Sequence, residues 1–338
     1  MTAKREPILW LRERDVTELV SLSDAIGALE ALLPLEGKSE AVNAPKSLIA
    51  LAGNAGLHSL SSALMAQRYC GTKTWINAPA GAMAIYTLFD SQNGSVLSIM
   101  EANALGSLRT AGIAALATRQ MGPRETNDVV IIGAGRQAFL QAAALTTALG
   151  LKRLRIFNRT RERQRTFAEK LERDFDVTVS CPMSLEEALD GASIVTVVTR
   201  ASEPFIPYEM LSNDVHINAL GAILPTHAEL QPSVLAHADL IVVDNVANAR
   251  QASRELREFC SEPAAWGRVE TLGQFIGAGK KRLPGMKLTV FKSLGMGLSD
   301  LAIAVRAYEA ARGCGSGMPI EYPAPASFHW TEKMAKAI

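Results

Sequence analysis

The sequence predicts an α/β protein built around a doubly wound parallel sheet, and three observations predict it. From about residue 128, short β-branched runs alternate with helical patterns. The stretch "VVIIGAGRQA" places a glycine turn between one such run and one such helix. The first 120 residues lack this alternation and read as a mixed α+β unit.

In chain order, "LSDAIGALEALLPL" reads as a helix with Ser23 as its N-cap. "KSLIALAG", "YCGTKTWINA", "MAIYTLFD" and "SVLSIMEAN" read as strands. "DSQNGS" joins the last two with an Asn-Gly hairpin signal. "LGSLRTAGIAALATRQM" is a helix of small residues. The alternation then runs through the strands "NDVVIIGAG", "LKRLRIFNR", "DVTVSC", "SIVTVVTR", "DVHINALG" and "DLIVVDN". Between them lie the helices "RQAFLQAAALTTALG", "TRERQRTFAEKLERDF", "SLEEALDGA" and "HAELQPSVLAHA". Phe167, Leu171 and Phe175 repeat at helical spacing on the second of these. "TVFKSLG" and a long helix, "LSDLAIAVRAYEAARG", are expected to follow the parallel sheet. The last two dozen residues are Gly/Pro-rich and then weakly helical.

Composition narrows the function. A chain of 338 residues with 48% hydrophobic and 20% charged residues can bury a large core and is not a disordered protein. A formal net charge of +1 gives no steering toward nucleic acid or an anionic membrane. No run is apolar enough for a signal peptide or a bilayer span, so a cytoplasmic protein is expected. Cys70, Cys181, Cys260 and Cys314 form no CxxC pair and are expected to be reduced thiols. His58, His216, His227, His237 and His329 show neither HxH nor HExxH spacing, so no metal is expected.

Gly133, Gly135 and Ala138 form GxGxxA between a strand and a helix. The first glycine permits the tight turn, and the second lets the backbone approach a pyrophosphate on the helix N-terminus. At the end of the next strand, an acid would accept from the ribose 2′-hydroxyl of NAD. The chain has Asn158, Arg159 and Thr160 there instead. A guanidinium suits a 2′-phosphate, so the residues favour NADP(H) over NAD(H). Otherwise Arg159 is a solvated charge at a helix start.

"GTKTWIN", "SLRTAGIAALAT", "IIGAGRQA", "FNRT", "INALGAILPTHAEL", "IVVDN" and "TVFKSLGMGLSD" together resemble the ornithine cyclodeaminase/μ-crystallin family over residues 40 to 312. "FNRT" and "TVFKSLGM" look most like its ketimine reductase branch. The resemblance implies a Rossmann-type NAD(P) domain, residues 121–299, set between the two parts of a substrate-binding and dimerisation domain, residues 1–120 and 300–338. It also implies a homodimer with the active site in the cleft, acting on a small imino or keto acid.

On pattern alone Lys73 is a strand Lys that could face solvent, whereas the family's matching Lys points into the substrate site. Arg109 is a lone charge in a helix of small residues, which needs a partner. The resemblance makes Lys73 and Arg109 catalytic, with Arg109 clamping a substrate carboxylate. Lys46 is a second carboxylate contact or a solvated Lys. Ser293 and Gly295 match a loop near the nicotinamide. The cofactor set comprises Thr110, Gly133, Gly135, Arg136, Gln137, Ala138, Asn158, Arg159, Thr160, Thr199, Leu220 and Ala222.

In the cyclodeaminases an Asp follows the strand "VHINALG"; aligned on Pro225 and Glu229, that position is Ile223. Isoleucine cannot orient water, so a dry cleft and hydride transfer are expected in place of deamination. His227 reads as a loop residue or an alternative acid. "PAGAMA" and Gln251 depart from the family near the substrate side chain.

The expected activity is NADPH-dependent reduction of a 2-imino carboxylate, such as Δ1-pyrroline-2-carboxylate or Δ1-piperideine-2-carboxylate, to an L-amino acid. The alternatives are an amino-acid dehydrogenase or reductive synthase that forms the imine from a keto acid and an amine, an ornithine cyclodeaminase, and a non-catalytic NADPH-binding protein.

Overall fold

The computed structural model describes residues 6–124 and 128–323. Its backbone forms two eight-stranded sheets. The first is mixed, in the order Met318–Ile320, Ile8–Leu11, Val96–Glu101, Gly81–Asp90, Tyr69–Ala78, Ala55–Leu64 and Ala41–Asn43, with Ser47–Leu51 also paired to Ala55–Leu64. Both ends of the described chain therefore contribute to one sheet. The second sheet runs Thr178–Ser180, Arg153–Phe157, Val129–Ile132, Ile194–Val197, Val215–Ala219, Leu288–Lys292, Leu240–Val243 and Val269–Thr271. All its pairings are parallel, as the strand–helix alternation requires.

Several sequence expectations need correction. The helix Leu22–Leu32 is capped by Ser21, not Ser23. Ser21 and Asp24 cap each other reciprocally, each accepting the other's backbone N–H at 3.1 Å. Leu288–Lys292 does not follow the parallel sheet; it is inserted between Val215–Ala219 and Leu240–Val243. Met318–Ile320 is a strand within the Gly/Pro-rich stretch, while residues 324–338, with His329, where weak helix is expected, lie outside the described residues. Ala55–Leu64, "AGLHSLSSAL", was not evident as a strand because its own propensity is low. It is held by partners on both sides.

The helix Asn103–Met121 joins the two halves, packing on Leu22–Leu32, Arg136–Leu149 and Gly297–Cys314. Its small residues allow close approach, and an added Cβ at Gly112 would lie 2.9 Å from Leu29 Cδ1. In contrast, Val42, Leu48, Ile49, Leu51, Leu57, Ile76 and Met83 leave apolar side chains of the first sheet exposed. Among the described residues no helix is long and apolar enough to cross a membrane.

Candidate active site

Tyr69–Ala78 alternates faces, which turns Gly71 and Lys73 inward. Lys73 is only 5% exposed. Its Nζ donates to Asp300 Oδ1 at 2.6 Å, and Asp300 is fully buried in the helix Gly297–Cys314. Arg109 Nε lies 3.4 Å from the same oxygen. The small residues of the Asn103–Met121 helix make room for this, since a Cβ at Gly106 would lie 3.6 Å from Lys73 Nζ. Burial pushes the Lys73 ammonium down to about 8, aided by Arg109 and Lys46 and opposed by Asp300. Lys46 is also held below its ordinary range by burial and by Arg109. Both ammonium groups lie over the Trp75 ring, 5.1 Å (Lys73) and 5.3 Å (Lys46) from its centroid. Lys73 and Arg109 thus meet on the buried Asp300 carboxylate with Lys46 close to both, a gathering of cations that suits an anionic ligand.

The loop after Leu288–Lys292 borders this cluster. Asp244 accepts from Ser293 Oγ at 2.7 Å, Leu294 N at 2.9 Å and Gly295 N at 2.6 Å. Gly295 adopts a φ of 93°, and a Cβ there would lie 3.4 Å from Arg109 Nη2. Asn248 Nδ2 donates to the Gly295 carbonyl at 2.7 Å, and its Oδ1 accepts from Lys46 N at 3.0 Å.

The residues of the glycine turn fit a dinucleotide. Gly133 has a φ of 128°, and an added Cβ would lie 2.8 Å from Val198 O. Gly135 caps the helix Arg136–Leu149 without a side-chain hydrogen bond and has open space where a Cβ would sit. The first-turn amides are therefore free for phosphate oxygens. Arg136 Nη2 reaches Ser107 Oγ at 3.3 Å, Gln137 is exposed and Ala138 is buried. Asn158 donates to the Thr160 carbonyl at 3.1 Å, while Arg159 is exposed with no ion pair among the described residues. Thr110 Oγ1 donates to the Gly106 carbonyl at 2.8 Å.

A buried network supports the neighbouring strand ends. Glu229 accepts from Thr199 N and Oγ1, Gly221 N and Ala222 N at 2.7–3.1 Å. Glu255 accepts from the backbone N–H groups of Glu229 and Leu230 and pairs with Lys292 at 2.7 Å. Leu220 and Ala222 are buried beside it. Beyond them Ile223 and Leu224 are 44% and 50% exposed, on a loop with His227, whose Nδ1 lies 3.0 Å from Thr226 Oγ1. The structure thus groups Lys46, Lys73, Arg109, Ser293 and Gly295. It sets Ile223 on an open loop instead of in a packed wall, and Gln251 is exposed.

Sequence reasoning missed Asp300, Asp244 and Asn248. Asp300 carried the same signal as Arg109, a charge in a helix of apolar and small residues. Asp244 and Asn248 follow the buried strand "LIVV", where polar groups must find partners. No group of three or more His, Cys, Asp or Glu side chains suited to a metal occurs among the described residues.

This arrangement has known relatives. A ketimine reductase mu-crystallin of Rattus norvegicus is 34% identical over 234 residues, which cover 69% of this chain and 71% of the rat protein. A Delta(1)-pyrroline-2-carboxylate reductase of Bacillus cereus is 31% identical over 245 residues, 70% of this chain and 74% of its own. A solved archaeal alanine dehydrogenase dimer with bound NAD is 25% identical, with a TM-score of 0.85, over 93% of this chain and 99% of that one. All three are oxidoreductases, and the fold is that of a nicotinamide-binding enzyme. The model of the ornithine cyclodeaminase/mu-crystallin family matches residues 8–315, and the protein is an oxidoreductase belonging to that family.

Proposed function

We propose that the protein is an NADPH-dependent reductase of 2-imino carboxylates, such as Δ1-pyrroline-2-carboxylate or Δ1-piperideine-2-carboxylate, and yields an L-amino acid. The observation that carries this reading is the cluster of Lys73, Arg109 and Asp300. Arg109, with Lys46, holds the substrate carboxylate. Lys73, with a pKa near 8, is largely protonated at pH 7 and gives its proton to the imine nitrogen. Asp300 orients that ammonium and balances its charge. Gly133, Gly135 and the first turn of the Arg136–Leu149 helix would hold a pyrophosphate, and Arg159 a 2′-phosphate. When bound, the reduced nicotinamide supplies a hydride. As C2 accepts it, the π pair of the C=N bond moves onto nitrogen, which carries the proton from Lys73. Ile223 offers no acid or base for hydration of the iminium.

On this reading the first sheet, with both chain ends, forms the substrate-binding and dimerisation domain. Its exposed apolar side chains, Ile49 and Met83 among them, support burial against a second copy of the chain. On this reading the protein is an enzyme of amino-acid metabolism that works in the cytoplasm.

The test is oxidation of NADPH and NADH, side by side, with the two cyclic imines and with pyruvate plus ammonia or methylamine. Faster oxidation of NADPH with a cyclic imine supports the proposal. Turnover only with a keto acid and an amine would replace it with a reductive synthase. A monomer in sedimentation would remove the dimer.

A further inference from the structure

We propose that Asn248 is a positioning residue that sets the carboxylate clamp of the active site by tying Lys46 to the loop that supports Arg109. This inference rests on the reading of Lys46 and Arg109 as the groups that hold the substrate carboxylate.

Asn248 is 2% exposed and lies in the helix Val246–Ala252, which follows the strand Leu240–Val243 of the parallel sheet. Its backbone N–H is taken by the capping Asn245 Oδ1 at 2.9 Å, which fixes the helix start. Its side chain is left to work across the cleft, and it uses both ends. Oδ1 accepts from the Lys46 backbone N–H at 3.0 Å, across 202 residues of sequence. Nδ2 donates to the Gly295 carbonyl at 2.7 Å. Lys46 precedes the strand Ser47–Leu51 of the mixed sheet, and Gly295 follows the strand Leu288–Lys292 of the parallel one. One amide group therefore joins the two halves of the protein at the point where the cations converge.

Gly295 is the surface against which Arg109 rests. Its positive φ places its backbone beside the guanidinium, and Asp244 holds its N–H while Asn248 holds its carbonyl. Two hydrogen bonds on opposite sides of one residue fix its orientation. Removing Asn248 frees the Gly295 carbonyl and the Lys46 backbone together. The two cations then lose their common reference, and a carboxylate must order them on binding. Neither bond touches the glycine turn of the dinucleotide site, so cofactor binding should not change.

The chemistry of an amide is needed here. A carboxylate in its place keeps the acceptor for Lys46 but has no donor for the Gly295 carbonyl, and it adds a negative charge beside a site for anions.

The experiment compares Asn248→Ala, Asn248→Asp and Asn248→Ser with Lys46→Ala and Arg109→Ala. Each is assayed with a cyclic 2-imino carboxylate and with the matching cyclic imine lacking the carboxylate. Cofactor affinity and thermal midpoint are measured on the same samples. Asn248→Ala should raise KM for the imino carboxylate about 10-fold, with kcat within about threefold. Asn248→Asp should raise it further, and Asn248→Ser less. The effect should vanish with the imine lacking the carboxylate, and it should shrink in a Lys46→Ala background. If Lys46→Ala and Arg109→Ala raise KM for the imino carboxylate while all three Asn248 variants leave it unchanged, the clamp stands and the role of Asn248 is refuted. Equal losses on both substrates, or a fall in kcat and stability alone, would also refute it and make Asn248 a structural residue. If Lys46→Ala and Arg109→Ala leave KM unchanged, the clamp itself fails, and this inference with it.

Discussion

The ionisation of Lys73 provides the sharpest test of the mechanism. Burial lowers its ammonium from 10.5 to about 8, against the pull of Asp300 at 2.6 Å. That fall corresponds to ~3 kcal/mol against the charged form. It brings the group close to the working pH, where a general acid is most effective. If the protonated amine is the acid, kcat/KM should be level below about pH 7 and fall tenfold per pH unit above about 8. Lys73→Met keeps the packing of the stem and removes the proton. It should lower turnover by roughly 10²–10⁴-fold, the usual worth of a positioned general acid. Cofactor affinity should be retained, because Lys73 lies on the mixed sheet and away from the glycine turn. The assay is steady-state oxidation of the reduced cofactor with a cyclic imine from pH 6 to 10, with cofactor binding followed by fluorescence. The substrate has its own ionisation, and the variant reports it alone. A descending limb at the same pH in Lys73→Met, or unchanged turnover, would refute the assignment.

The other predictions concern the cofactor and the buried charges. Arg159→Ala should weaken NADPH binding about 10- to 100-fold, as expected for loss of a charge-assisted fork, and leave NADH binding within about threefold. Equal losses in titrations with the two cofactors would contradict the 2′-phosphate role. Glu255→Gln leaves the Lys292 ammonium, which is 1% exposed, without its partner and should cost about 3 kcal/mol or more in urea unfolding. His216 is fully buried between Thr289 Oγ1 at 2.9 Å and Asn218 Oδ1 at 3.2 Å, and burial lowers its pKa from 6.5 to about 3. The folded state therefore binds fewer protons than the unfolded chain between these values, so stability falls as the pH drops below 6.5. Urea midpoints should record a loss of about 2 kcal/mol from this residue between pH 7 and 5, and His216→Gln should flatten that part of the curve.

Much of the parallel half was legible because its strands and helices carry their own signals. "VVIIGAG" and "SIVTVVT" are β-branched runs buried on both faces, and Gly150 ends its helix in the left-handed region as expected. The mixed sheet was less legible. Ala55–Leu64 and Met318–Ile320 become strands through pairing with distant segments, and no local pattern encodes such a pairing. The insertion of Leu288–Lys292 into the middle of the parallel sheet is likewise a fact of topology. At the site, Arg109 stood out in a helix of small residues, whereas the pattern alone left Lys73 as a strand Lys that could face solvent and only the family resemblance turned it inward. Asp300 stood out equally, but only the fold shows that it faces them. Asp244 and Asn248 act through backbone groups, which leave no mark on sequence spacing.

The contact between Lys73 and Asp300 spans 227 residues, and the strands at Ile8 and Ile320 lie side by side. The site draws on residues from Lys46 to Asp300, so no short portion of the chain contains it. During synthesis the parallel sheet waits for its central strand Leu288–Lys292, and the mixed sheet waits for the helix Gly297–Cys314 and the edge strand Met318–Ile320 that come after it. Ordering that loop is entropically slow, so a nascent chain would expose apolar sheet for longer than local folding requires. Recovery of activity after dilution from denaturant should therefore lag behind recovery of helical signal, which makes turnover a direct clock for the pairing of distant strands such as Ile8–Leu11 and Met318–Ile320.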